Sequence, residues 1–132
     1  MRIKNYTPHE ITIFSAEDCY YDKATRKHYL RSPEVEPLAR FPSSGMLSAS
    51  YKDATERVLV DGTELMLVRR TWSGVDQPPH ADDDTYLIVS SLYVAAAKAC
   101  GYSTAQLLTI GDPVYESPAQ PRPVGCLKLV RN

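Results

Sequence analysis

The sequence lacks most of the features that announce a function unaided. No apolar run approaches the roughly 18 residues needed to span a bilayer. The chain turns polar at once after Met1-Arg2-Ile3-Lys4-Asn5, without the pattern of a secretory leader. Its three cysteines, Cys19, Cys100 and Cys126, are odd in number and none stands in a C-x-x-C spacing. Neither a disulfide framework nor a closed zinc site is therefore written in it. Charge of one sign is also missing, since 15 Lys and Arg face 16 Asp and Glu for a formal net charge of −1. That balance argues against affinity for bulk nucleic acid, which depends on a phosphate-neutralising basic surface. His9, His28 and His80 show no metal-binding spacing, and no serine lies in a G-x-S-x-G frame. The expectation is a cytoplasmic protein with no metal, no cofactor and no membrane partner.

What is present is a chain of 132 residues, enough for a single domain over 1–132 with one core. Nine tyrosines against two phenylalanines and one tryptophan suit half-buried sheet faces, where the ring packs and the hydroxyl stays wet. Glu10-Ile11-Thr12-Ile13-Phe14-Ser15 alternates and reads as a half-buried strand. The stretch 16–36 loses regular periodicity and reads as a hairpin or irregular insertion. Leu38–Phe41, the turn Pro42-Ser43-Ser44-Gly45 and Met46–Tyr51 suggest one hairpin. Asp61-Gly62 between apolar runs is the signature of a second, with strands over Arg57–Val60 and Thr63–Arg70. A loop is expected from Thr71 to Asp84. Thr85–Val89 is apolar enough for a central strand, and the alanine-rich segment of about 92–100, after a serine cap and before Gly101, has the grammar of a helix. Strands over 107–110, 113–116 and 124–130 complete an α+β reading, with a mostly antiparallel sheet or partly open barrel and one main helix.

Two places can carry chemistry. Asn5-Tyr6-Thr7-Pro8-His9 sets an amide, a hydroxyl and an imidazole in a link whose proline holds Thr7 extended. The simpler reading is a turn in which Asn5 or Thr7 bonds its own backbone. The start of the helix at Ser90-Ser91 offers unpaired backbone N–H groups and the positive end of a dipole, which attract an anion. There too the simpler reading is a serine cap. Asp82-Asp83-Asp84 beside His80 lacks the spacing of a calcium loop, and the basic run around His28 reads as an exposed face.

The opening Asn-x-Thr-Pro-His, the Pro42-Ser43-Ser44-Gly45 turn, Tyr86-Leu87-Ile88-Val89-Ser90 with its helix, Gly111-Asp112-Pro113-Val114 and the closing Gly125-Cys126-Leu127 together resemble a family of small uncharacterised phage and prophage proteins. The resemblance covers most of the chain. Family members have an arginine soon after the Pro-Ser-Gly turn, where this chain has Ser48-Ala49-Ser50, so that residue's role does not carry over. The resemblance implies a phage setting and no particular activity. By analogy with other phage accessory proteins, the expected function is binding of a small anionic, nucleotide-like ligand and sequestration of a host defence signal. The expected ligand-binding residues are Asn5, Thr7, His9, Ser44, Tyr86, Ser90, Ser91 and Tyr93, with a homo-oligomer in view. The alternatives are a phosphoesterase-like enzyme using His9 as acid or base, and an interaction module that inhibits a host factor.

Overall fold

The computed structural model describes residues 1–132. It is built mostly of strands: β1 (Arg2–Asn5), β2 (Ile11–Ile13), β3 (Cys19–Asp22), β4 (Lys27–Leu30), β5 (Ala39–Phe41), β6 (Ala49–Val60), β7 (Thr63–Val75), β8 (Thr85–Ile88), β9 (Leu107–Tyr115) and β10 (Gly125–Arg131). One α-helix, α1 (Ser91–Ala99), joins β8 to β9. It is neither long nor apolar enough to cross a membrane.

Eight strands form one sheet in the order β1-β8-β9-β10-β2-β5, with the β3–β4 hairpin attached through β4 to β9. The ends of this path nearly meet. Asn5 at the end of β1 forms a bridge with Ser43, just past β5, so the sheet curls into an almost closed barrel. The sheet is mixed, which corrects the mostly antiparallel expectation. β8 runs parallel to both β1 and β9, β2 parallel to β10, and β4 parallel to β9. The physical reason is the connection: β8, α1 and β9 make a β-α-β unit, whose helix carries the chain back so that the second strand repeats the direction of the first.

The helix starts where Ser90 accepts a hydrogen bond from the Tyr93 N–H at 3.1 Å, and it ends before Gly101 at φ +79°. At nine residues it is too short to persist alone. Burial of Tyr93, Val94 and Ala97 against Leu47, Leu87, Val89 and Leu107 holds it.

Other expectations are redrawn. Leu38–Phe41 does not pair with Met46–Tyr51: β5 pairs with β2, and Ala49–Tyr51 opens β6. The Asp61-Gly62 turn is present with both residues at positive φ, +50° and +80°, as this hairpin class requires. Its strands run much further than their apolar ends, so the loop after them begins only at Asp76. The two pieces at 107–110 and 113–116 are one strand, in which Asp112 sits at φ +52°.

The barrel closes on Asn5, whose side chain is buried at 1% exposure. Its amide nitrogen donates to the His9 and Phe41 carbonyls at 2.7 and 2.9 Å. Its amide oxygen accepts from the Thr7 N–H and hydroxyl at 2.9 and 2.7 Å. Two donors and two acceptor positions are all a primary amide has. Asn5→Ala would strand several buried groups at once, and it is expected to lower stability by about 2–3 kcal/mol, read from urea unfolding. Asn5→Asp, which keeps the acceptor but loses both donors, is expected to lose about as much. A loss within error for both would show that the seam does not depend on this amide.

Candidate functional site

Because β1 and β8 are parallel, the Tyr6–His9 link and the Ser90-Ser91 helix start leave the sheet at the same end, and the Tyr6 N–H donates to the Ile88 carbonyl at 2.9 Å. The side chains there are largely committed to the fold. Asn5 is saturated, and the Thr7 hydroxyl lies 2.7 Å from the Asn5 amide oxygen and 3.0 Å from the His9 carbonyl. Ser90 caps the helix. Tyr93 is fully buried and its hydroxyl donates to the Asp76 carbonyl at 2.7 Å, so its ring has no free face for a base. Tyr86 is half-buried under Arg131, whose guanidinium lies 4.9 Å from the ring centre and donates to the phenol oxygen at 3.2 Å. Ser44 and Ser91 are exposed, and the Ser44 N–H is spent on the Asn5 carbonyl. Among the expected residues only His9 lines one of the three principal cavities.

That cavity is a cleft of about 590 Å³. It lies where the chain entering β2 passes beside the chain entering β10, and Ile11, Thr12, Ile110 and Val124 are among its walls while His9 and Arg122 contribute the basic groups. The close approach of the two strands depends on Gly125, where a Cβ would sit 2.5 Å from the Thr12 carbonyl oxygen and 2.6 Å from the Phe14 ring. Ile110 and Val124 are 39% and 38% exposed, apolar surface left open in the cleft. Glu10, the one acid there, is paired with Arg40 at 3.3 Å. Neither the His9 ring nor the Arg122 guanidinium has a hydrogen-bond or ion-pair partner. Two basic side chains thus line the cleft without a partner, and the cleft's one carboxylate is engaged by Arg40.

Arg122 was not among the expected site residues because it lies in the proline-rich turn from Pro118 to Pro123, between the strands expected over 113–116 and 124–130. Its position between Pro121 and Pro123 is a usable signal, since flanking prolines restrict the backbone on both sides of a single cation. Cys126 also lines the cleft but is fully buried, and burial pushes its thiol above the ordinary range, away from the reactive thiolate. The other two cavities, of about 390 and 160 Å³, flank the Pro79-His80-Ala81 segment: the first is lined by Asp83, and the second, with Arg2 and Lys4 beside Asp82, is less than a third the volume of the cleft. No group of three or more His, Cys, Asp or Glu side chains is placed to hold a metal ion.

No protein-family model, no curated protein and no solved structure matches this chain.

Two measurements check the burial assigned to these side chains. Burial, with the Asp76 carboxylate adding to it, pushes the Tyr93 hydroxyl up to about 12, while a tyrosine in the unfolded chain ionises near 10. The neutral phenol therefore contributes its stability in full below about pH 10, and this is lost as pH rises towards 12. Tyr93→Phe is expected to cost about 1 kcal/mol at neutral pH, and the gap from the unaltered protein should close across that window. A gap constant with pH would refute the assignment. Thiol titration of the native protein is expected to count Cys100 alone, with buried Cys19 and Cys126 reacting only after denaturation.

Proposed function

We propose that this chain is a binding protein for a small anionic ligand with a flat or apolar body, held in the cleft between His9 and Arg122. One observation carries the reading: an unpaired guanidinium and an unpaired imidazole flank an apolar-walled cleft of about 590 Å³, within the size range of small-molecule sites. Arginine favours phosphate or carboxylate because its planar fork presents paired donors. Ile110, Val124 and Ile11 offer apolar surface to the rest of the ligand. A nucleotide meets both demands, and in the phage setting implied by the motifs it would be a host signal that the protein sequesters.

Binding is favoured over turnover by what surrounds His9. No carboxylate orients its ring, and no nucleophile is bonded to it, whereas a general acid or base usually needs such partners. The buried Cys126 thiol supplies no nucleophile in its place.

Calorimetry against mononucleotides, cyclic dinucleotides and ADP-ribose derivatives tests the reading. At least one should bind, with affinity falling as salt is raised. Arg122→Ala and His9→Ala should each weaken it by about tenfold, equivalent to about 1.4 kcal/mol. Ser90→Ala should leave affinity unchanged while lowering stability by about 1 kcal/mol. Absence of binding across the panel, or indifference to both cleft substitutions, defeats the proposal.

A further inference from the structure

The hairpin of β6 and β7 stands apart from the barrel. Its two strands, of 12 and 13 residues, pair only with each other and form a separate two-stranded sheet. The base is clamped: Ser48 and Asp76 exchange backbone bonds with each other's backbone and carboxylate, and Tyr93 holds the Asp76 carbonyl. Beyond it nearly every residue is exposed, including Leu59 at 77%, Met66 at 64% and Val68 at 61%. An isolated two-stranded ribbon is marginal in water. Its free edges present unpaired backbone groups to any strand that can reach them. The β6 edge, Ala49–Val60, contains neither proline nor glycine to interrupt it, and its protection is by charge, from Lys52, Asp53, Glu56 and Arg57.

Cross-strand register sorts the charges by face, because directly opposed residues point the same way. One face satisfies itself. Asp53 pairs with Arg70 at 3.2 Å and Arg57 with Glu64 at 3.2 Å, while Arg70 also lies 3.7 Å from the centre of the Tyr51 ring, which meets Trp72 edge-on. The opposite face holds Lys52, Glu56 and Arg69, none of which has an ion-pair partner.

The unpaired charges of β6 complement one another across a two-fold axis. When β6 is laid antiparallel against a second β6 and centred on Ala54, Lys52 of each copy falls opposite Glu56 of the other. Both lie on the same, unsatisfied face. The same register sets Arg57 opposite Tyr51 and the exposed Leu59 tip opposite Ala49. Faces match only when the axis passes through a residue: centring on Asp53 opposes Asp53 to itself, and centring on Thr55 opposes Asp53 to Arg57, which are already paired within their own hairpin, and leaves Lys52 and Glu56 without partners. β7 offers no such match for an unpaired charge: Glu64 and Arg70 are already engaged with Arg57 and Asp53, and Arg69 shares its face with no acid on that strand.

We propose that the chain self-associates through the β6 edge, two copies forming a four-stranded antiparallel sheet centred on Ala54. The interface is isologous, as two-fold dimers require, and it uses no residue of the His9–Arg122 cleft.

Analytical ultracentrifugation of the full chain is expected to show a concentration-dependent dimer. Lys52→Glu and Glu56→Lys, both at exposed positions, should each weaken it by about tenfold by opposing like charges twice. The combined Lys52→Glu, Glu56→Lys chain should recover it. In a Cys100→Ser background, Ala54→Cys should form an interchain disulfide with diamide, since residues opposed across an antiparallel pair have Cα atoms about 4.5–5.5 Å apart. Thermal unfolding of each variant confirms that the monomer is intact. A monomer at all concentrations overturns the proposal, as does a dimer unmoved by either charge reversal.

Discussion

The fold turns on one buried amide. A β-barrel exists only if its first and last strands meet, and here they meet through too few residues for an ordinary ladder: one bridge, Asn5 to Ser43. Asn5 makes up the difference by binding the end of β5 through the Phe41 carbonyl while its own carbonyl accepts from the Ser44 N–H at 2.7 Å. Neither neighbour in chemistry substitutes for it. Aspartate has no donor to offer two carbonyls, and glutamine adds a methylene where the site is filled. In a low-dielectric interior such a bond set is strong when complete and costly when partial. Every buried side-chain polar atom in this structure has a partner.

The same amide sets the lip of the cleft. By holding the His9 carbonyl at 2.7 Å it turns the chain sharply after Pro8, which delivers the His9 ring to the mouth formed with Arg122. On its other side the seam runs into the hairpin: Ser44 bonds Asn5, Leu47 bonds Tyr6, and Ser48 grips Asp76. A continuous hydrogen-bonded run thus joins the cleft lip, the barrel closure and the hairpin base. The run is made of hydrogen bonds, buried at Asn5 and Leu47 and exposed at Ser44 and Ser48, yet it does structural work usually assigned to apolar cores.

How much of this was legible follows from what each signal encodes. The Asp61-Gly62 turn, the Ser90-capped helix and the strand at Thr85–Ile88 could be read because local chemistry dictates them. The full length of β6 could not, because Lys52-Asp53-Ala54-Thr55-Glu56-Arg57 shows no alternation. A ribbon exposed on both faces has no buried side to write into the sequence. Strand direction was hidden as well, since it is set by which distant segment closes on which. At the site, the sequence located the Asn5–His9 link but not the direction of its bonds. Asn5 and Thr7 turn inward to the backbone, as the simpler turn reading had it, and His9 alone is left for a ligand.

The cleft and the hairpin answer different demands, and their separation has a consequence. Cleft walls come from the approaches to β2 and β10 and from Ile110, whereas the proposed interface is confined to β6. Pairing of two hairpins would therefore leave each cleft lined as it is in the single chain, and a dimer would present two equal, open sites. For a protein that sequesters, this is the useful arrangement: capacity scales with the number of chains, and occupancy of one cleft requires nothing of its neighbour. A catalytic site assembled between subunits would need the reverse, with residues of both copies converging on one ligand. Here the unpaired His9 imidazole and Arg122 guanidinium belong to one chain and line one cleft, so the proposed site is complete within a single chain.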